Sequence, residues 1–477
     1  MTRSALLIGV VLAASAAASG AERFPPPEFD SGYRLPQVVT PLWRGTAWEY
    51  VDVAVLAAAL AGATFLALVV RSRTGVLLVM LGSLGYFGFF RKGCVCPIGA
   101  IQNVAEGLFG SGAAVPLAVV LLFLLPLVVA LFFGRTFCAA VCPLGAVQDA
   151  VLVRPIRVPP AVEHALGLVP YVYLGLAVAL AATQTLYVIC EYDPFVSLFR
   201  LADLPLLETT GSVRNLVLAG LFVALALFVG RPYCRYLCPY GALLRLCSRV
   251  SWRHVTITPA ACVRCSLCED SCPFGAIRKP TPPRRPAERT EGKSRLAAAL
   301  ALVPLLAVGG GLAGWQLGGP MARLHDTVKL RDLVRREEAG LAEKGSTDET
   351  EAFWGTGRTL DELDADVRTV RERFAGRWRY FVARLATGRR YKVGVFVPGA
   401  AAWLGAFVGF VVGAKLAHLS VRRRRLDYEP DRATCLSCAR CFQYCPVQKD
   451  ATNKARARPG PKCPREGMPV LAAAPKT

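Results

Sequence analysis

Histidine is scarce in this chain, four residues in 477, and charged residues make up only 19%. No histidine follows a Cys-x-x-Cys pair, which excludes c-type haem attachment. No Ser-His-Asp set, phosphate-binding loop or catalytic pair of carboxylates stands out, so hydrolysis and phosphoryl transfer have no machinery here. The Gly-x-Gly-x-x-Gly match from Gly309 to Gly314 lies inside an apolar run, with no strand before it. It reads as a helix-packing surface and not as a dinucleotide loop. His164 and His418 border apolar runs and leave two readings, b-haem ligation or interfacial polarity.

The shortage of charge goes with 54% hydrophobic residues, a balance too apolar for a soluble protein of this size. The expected fold is mainly α, a polytopic helical membrane protein. Residues 1–20 combine one arginine, an apolar run and small residues at Ala18-Ser19-Gly20, the pattern of a signal peptide. Residues 21–50 then form an exported N-terminal segment. Seven uncharged runs follow, at about 53–70, 74–90, 110–134, 165–190, 215–230, 296–319 and 393–414. Most are near the ~20 residues a helix needs to cross hydrocarbon.

The formal net charge of +22 invites a nucleic-acid partner. The basic residues cluster beside apolar runs ("VRRRRLDYEP", "GRPYCRYLCP"), as cytoplasmic membrane flanks do, so membrane lipid is expected and nucleic acid is not. Counting spans from an exported start puts 135–164, 231–295 and 415–477 on the cytoplasmic side of a bacterial inner membrane. It puts 91–109, 191–214 and 320–392 outside, where Arg91-Lys92 run against the charge rule.

Seventeen cysteines sit in short groups suited to metal or cluster ligation instead of a small disulfide framework. "CVRCSLCEDSCP" and "CLSCARCFQYCP" each follow the bacterial [4Fe–4S] run C-x₂-C-x₂-C-x₃-C-P, in which the fourth cysteine serves the other cluster. One cluster then takes Cys262, Cys265, Cys268 and Cys445, and the other Cys435, Cys438, Cys441 and Cys272. Two complete runs, each ending in Cys-Pro, disfavour zinc. Two spans separate the halves, so both lie on one side and can meet as a split dicluster ferredoxin.

The frames "GRTFCAAVCPLGAVQD" and "GRPYCRYLCPYGALLR" also lie two spans apart. Cysteines four apart share one helix face, so Cys138, Cys142, Cys234 and Cys238 are candidates for a third cluster. The alternative is four buried, reduced thiols. "RKGCVCPIGAIQN" repeats the same tail with Cys-x-Cys, and parity sets Cys94 and Cys96 on the opposite face with Cys190. Those three are candidate ligands of a cluster or metal, with a fourth ligand from elsewhere, or else a disulfide and a spare thiol. Cys247 and Cys463 have no motif.

The domain order is therefore a five-span membrane domain (51–250), a first ferredoxin half (251–290), a span (296–319), an exported charged segment (320–392), a span (393–414), a second ferredoxin half (421–450) and a flexible tail (451–477). The exported segment, through "RERFAGRWRYFV", reads as charged helices capped at Ser346 or Thr347 and at Thr359. It is either a solvated spacer or a docking surface for an exported redox partner.

The order of the Cys-x₃-Cys-Pro pairs, the split ferredoxin halves, "TDETEAFWGTGRTLDEL" and "YEPDRATCLSCARCFQYCPV" resembles the membrane and ferredoxin part of the NosR/NapH-type membrane polyferredoxin family, over about residues 50–450. The resemblance implies membrane iron–sulfur electron transfer in support of an exported enzyme. NosR proteins attach FMN through Thr in a Ser/Asp-Gly-Ala-Thr motif of an exported flavin domain. The nearest match here, Ala61-Gly62-Ala63-Thr64, lacks the leading residue and lies in a span, so FMN is not expected on this chain. The function expected is passage of electrons between a quinol or cytoplasmic donor and an exported redox enzyme or flavoprotein, as a subunit of a larger oxidoreductase system. A redox-sensing or maturation role, with clusters that sense or support structure, is the alternative.

Overall fold

A computed structural model describes residues 46–93, 95–110, 115–200, 210–257, 265–281, 286–384, 390–421, 425 and 427–445. Residues 1–20, where a signal peptide is expected, nearly all of segment 21–50, the tail, Cys94, Cys262 and Cys463 lie outside the described residues.

Hydrocarbon offers no partner for backbone polar groups, so an apolar chain that crosses it must be helical. Among the described residues, five helical stretches are long and apolar enough to do so: Ala47–Leu68, Arg73–Phe90, Pro160–Ala182, Glu291–Ala322 and Ala400–Ser420. The shorter apolar helices Leu117–Phe133 and Val213–Ala226 fall on the remaining runs. The principal elements are α1 (Thr46–Leu68), α2 (Arg73–Ser83), α3 (Pro97–Phe109), α4 (Leu117–Phe133), α5 (Pro143–Ala150), α6 (Val169–Ala182), α7 (Thr210–Ala226) and α8 (Pro239–Arg249). After them come α9 (Pro286–Ala322), α10 (Asp326–Glu338), α11 (Asp348–Gly355), α12 (Leu360–Ala375) and α13 (Ala400–Ser420). The strands are β1 (Ile277–Arg278), β2 (Gly376–Arg384), β3 (Arg390–Pro398) and β4 (Glu429–Pro430).

Helix α1 begins ahead of its apolar run and carries Asp52 into the packed interior. Arg91 pairs with that carboxylate at 2.7 Å, and Tyr86 Oη donates to it at 2.8 Å. An ionised group inside a membrane domain is tolerated when it is paired. Arg91, which runs against the charge rule, is therefore neutralised within the protein.

Helices α9 and α13 pack through glycine. A Cβ at Gly405 would run into the Gly310 carbonyl, and one at Gly409 into the Leu306 carbonyl. This is the close backbone approach that small residues permit between membrane helices, and it gives Gly309–Gly314 the packing role expected of it. Helix α13 leads directly to the second ferredoxin half. The two halves meet as a short antiparallel pair, Ile277 opposite Pro430 and Arg278 opposite Glu429.

Between α9 and α13, helices α10, α11 and α12 form a small unit. Capping boxes at Thr347 and Thr359 start α11 and α12, as the sequence predicts. Val328, Val367, Val370 and Phe374 bury themselves against Leu180 of α6 and Ala322 of α9. The expectation of helix through "GRWRYFV" is corrected. From Gly376 the chain forms β2, paired antiparallel with β3, and β3 also takes the first residues assigned to the last span. The aromatic and β-branched content of both stretches suits a hairpin.

Glu337 is the polar centre of this unit. It accepts from Ser346 Oγ, Thr350 Oγ1 and Trp354 Nε1, each at 2.7 Å, and from Gly345 N at 3.2 Å. Burial raises its carboxyl, but the donors from Thr350, Trp354 and Ser346 outweigh that and hold it at about 2, below its ordinary 4.5. A depressed carboxylate stabilises the fold above its unfolded value and loses that contribution as pH falls through its folded value. Trp354 fluorescence is therefore expected to hold through pH 4.5 and to change only as pH approaches about 2. In Glu337→Gln the Trp354 signal is expected to be altered already at neutral pH.

Candidate metal centres

The three Cys-Pro frames share one local construction. Each cysteine before proline is extended, with φ/ψ of −122/112 at Cys96, −71/116 at Cys142 and −57/114 at Cys238, and the proline opens a helix. The reason is steric. Proline excludes its predecessor from the helical region yet fits the first helical position. This corrects the expectation that cysteines four apart lie on one helix face. Cys138 sits in a π-helical stretch, Phe137–Val141, and Cys234 in the short helix Pro232–Tyr236; Cys142 and Cys238 instead stand at the N-cap of the helix that follows, where only the Cys238 thiol accepts a capping bond, from Gly241 N. A π-helical turn is often found where a chain serves a functional site.

The four thiols nevertheless converge. Cys138, Cys142, Cys234 and Cys238 are all buried in one core cluster. Sulfur accepts hydrogen bonds from Arg135 Nη2 at 3.5 Å (Cys138), from Gln148 Nε2 at 3.4 Å (Cys234) and from Gly241 N at 3.3 Å (Cys238). Burial pushes the Cys238 thiol up, and Cys234, Cys138 and Cys96 add to the effect.

The two Gly-Arg frames interlock. Arg231 donates to the Cys138 carbonyl, and to the Ala139 carbonyl at 3.1 Å. Gly145 leaves room for that guanidinium, since a Cβ there would stand 2.9 Å from Arg231 Nη1. The two glycines also match in backbone contact, a Cβ on Gly145 standing 3.2 Å from the Cys138 carbonyl and one on Gly241 3.1 Å from the Cys234 carbonyl.

Asp149, at the end of "CPLGAVQD", ties this site to the ferredoxin. It pairs with Arg73 at 2.7 Å, Arg231 at 3.5 Å and Arg440 at 2.9 Å. Burial raises its carboxyl, but the three guanidiniums prevail and hold it well below the usual carboxylate range. Arg73 also donates to the Cys438 carbonyl at 3.3 Å, and Arg135 to the Ala433 carbonyl at 3.2 Å. The sequence reading missed this network; the Gly-Arg pair common to both frames was its signal.

In the ferredoxin, Cys272 from the first half joins Cys435, Cys438 and Cys441, each near enough to act on the others' charge. Cys268 and Cys445 are buried together. Ser266, Ser437 and Ala439 adopt left-handed backbone beside the cysteines, with φ of 63°, 57° and 60°. Such residues turn successive N–H groups inward, forming the concavities that hold anionic groups, Fe–S clusters among them. Among the described residues, no three His, Cys, Asp or Glu side chains close around a point as a single metal ion requires. The buried thiols, the N–H donors aimed at sulfur and the left-handed turns fit iron–sulfur clusters.

Cys96, half-buried, and Cys190, exposed, also approach each other. A Cβ on Gly99, in the first turn of α3, would stand 3.4 Å from Cys190 Sγ. Burial pushes Cys96 up to about 12, with Asp193 and then Cys190 adding to it. Cys96 also acts on Cys238, so the two thiol groups are closer than opposite faces of a bilayer would be. Phe195, two residues after Asp193, and Tyr233, next to Cys234, stack edge to face with ring centroids 5.3 Å apart. Cys247, half-buried on α8, packs against the core cluster that holds the four thiols. Thr64, of the nearest flavin-motif match, lies in α1 and bonds Thr136 at 3.1 Å.

A cavity of about 1060 Å³ opens beside Cys234, running from Phe407 and Phe410 on α13 to Arg245 and Lys415. His164 and His418 both border it.

These features define a class, membrane proteins with iron–sulfur binding domains. A 4Fe-4S binding domain model matches residues 72–112, 115–159 and 212–257, one for each Cys-Pro frame, and a second such model matches 255–278. The chain belongs to the NosR/NapH-type membrane polyferredoxin family.

An uncharacterized protein of Methanocaldococcus jannaschii, MJ0750, is 30% identical over 199 residues, 40% of this chain and 77% of that one. The regulatory protein NosR of Pseudomonas aeruginosa is 31% identical over 43% of this chain and 30% of its own length. The methylamine utilization ferredoxin-type protein MauN of Paracoccus denitrificans is 32% identical over 31% of this chain and 52% of its own. The chain thus spans about half of MauN and under a third of NosR. No solved structure matches.

Proposed function

We propose that this chain carries electrons across the cytoplasmic membrane, between a donor at or inside the bilayer and an exported redox partner. Two [4Fe–4S] clusters are assigned to Cys262, Cys265, Cys268 and Cys445, and to Cys435, Cys438, Cys441 and Cys272. A third is assigned to Cys138, Cys142, Cys234 and Cys238. Clusters bound there supply one-electron storage at potentials tuned by charge and by hydrogen bonds to sulfur.

The observation that carries this reading is the placement of Arg231. Buried, it lies within charge reach of Cys138 and Cys234 in the membrane domain and of Cys438 in the ferredoxin. One guanidinium thus faces thiols of both sites, and Asp149 fixes its position. Electrons crossing ~30 Å of hydrocarbon need such intermediate stations. The basic segments around α8 and after α13 support a cytoplasmic ferredoxin module. The cavity from Phe407 to Cys234 supports a lipid-soluble donor such as quinol.

The experiment is iron and acid-labile sulfide content with EPR of the reduced protein, for wild type and for Cys138→Ser/Cys234→Ser. About twelve irons or more, falling by about four in the variant, is expected for a membrane-embedded cubane. Equal iron in both proteins would remove the embedded cluster from the account.

A further inference from the structure

Cys190 stands in a fourth, altered copy of the Cys-Pro frame. "YCRYLCPY" (Tyr233 to Tyr240) finds a shorter counterpart in "ICEYDPF" (Ile189 to Phe195), where Asp193 takes the place of the cysteine before proline. The backbone follows the same course. Asp193 is extended, φ −75 and ψ 109, and Pro194 opens the next helical turn, as Cys238 and Pro239 do.

The contacts repeat as well. Gln148, six residues after Cys142, accepts from Tyr233 N at 3.0 Å, the residue ahead of Cys234. Gln102, six residues after Cys96, accepts from Ile189 N at 3.1 Å, the residue ahead of Cys190. The other end of Gln148 donates to Cys234 Sγ at 3.4 Å. The matching Nε2 of Gln102 is fully buried beside Cys190's segment and has no partner among the described residues. A buried amide donor without an acceptor is costly and calls for an explanation.

The charge environment agrees with the repeat. Asp193 is 4% exposed, its Oδ1 accepts from Phe195 N at 2.9 Å, and no ion pair within salt-bridge distance reaches it among the described residues. It is near enough to Cys96 and Cys190 for its charge to act on both. Arg200 acts on its charge from beyond salt-bridge distance, and a buried carboxylate beside two thiols is unfavourable without a cation bound to it.

We propose that Asp193 is a ligand, together with Cys96 and Cys190, of a further iron–sulfur centre, with Gln102 Nε2 donating to its sulfur. The centre is the pseudo-symmetric counterpart of the one assigned to Cys138, Cys142, Cys234 and Cys238, and the proposal rests on that assignment. Its exposed ligand, Cys190, marks the edge where an exported partner collects electrons.

Iron content, EPR and the Mössbauer spectrum of ⁵⁷Fe-grown protein test it, for wild type, Asp193→Asn and Asp193→Cys. Wild type is expected to show one iron with oxygen among its ligands. Asp193→Asn is expected to lose about four irons with the other clusters retained. Asp193→Cys should keep its iron while its EPR signal shifts. Wild-type iron and spectra in Asp193→Asn, or all-sulfur ligation in wild type, would overturn the proposal. If Cys138→Ser/Cys234→Ser still loses its four irons, the embedded cluster survives that failure; if it does not, the underlying assignment fails first.

Discussion

Asp149→Ala is expected to be the most damaging single substitution outside the cysteines. The carboxylate is 1% exposed and answers three guanidiniums, of which Arg231 is equally buried. Removing one partner of a buried pair leaves uncompensated charge and costs about 3–5 kcal/mol. The loss does not stay local. Arg73 would be released from Asp149 while still bound to the Cys438 carbonyl, and Arg440 leads the helical turn that carries Cys441. Thermal unfolding in detergent should show a markedly lower midpoint, with iron lost from the ferredoxin as well as from the membrane domain. Asp149→Asn, which keeps the shape and the acceptor oxygen, should fall between. A variant with wild-type midpoint and iron would show that the network does not join the two regions.

Gly405→Leu should have the second largest effect, by a different route. Gly405 and Gly310 bring the backbones of α13 and α9 into contact, leaving no room for a side chain on either. Overpacking a tight site typically costs about 1–3 kcal/mol where side chains can adjust; here the obstruction is backbone, so the helices must part. Because α13 delivers the second ferredoxin half, parting them pulls β4 from β1. Iron at the ferredoxin should drop together with thermal stability. Gly309→Ala on the neighbouring helix face, where a Cβ meets nothing within 4 Å, is expected to be neutral. Equal effects of the two substitutions would refute the packing account.

The cysteine frames made much of this molecule legible. Complete C-x₂-C-x₂-C-x₃-C-P runs and the parity of the spans between them suffice to bring the two halves to one side, and β1 and β4 join them. Thr347 and Thr359 announced their helices because capping is a local matter of side chain and backbone. The helical-face reading of Cys138 and Cys142 failed because proline overrides periodicity one residue upstream. The β2–β3 hairpin was hidden by its charge: Arg377, Arg379 and Arg384 punctuate an otherwise strand-like stretch. Gln102, Gln148 and Asp149 escaped notice because polar residues on an apolar helix declare their partners only in three dimensions. Asp193 was open to reading, since Asp-Pro stands where the other frames have Cys-Pro, but a comparison restricted to cysteines passes over it.

The most direct test of the account is electron transfer through the membrane itself. Protein would be reconstituted into sealed vesicles holding a membrane-impermeant acceptor, oriented with the ferredoxin module outside, and reduced from outside by an impermeant donor. The account predicts reduction of the trapped acceptor by wild type and its loss in Cys138→Ser/Cys234→Ser, with the outward clusters still reducible in both. A fully loaded wild type that leaves the trapped acceptor oxidised would contradict it and leave the clusters a sensing or structural role.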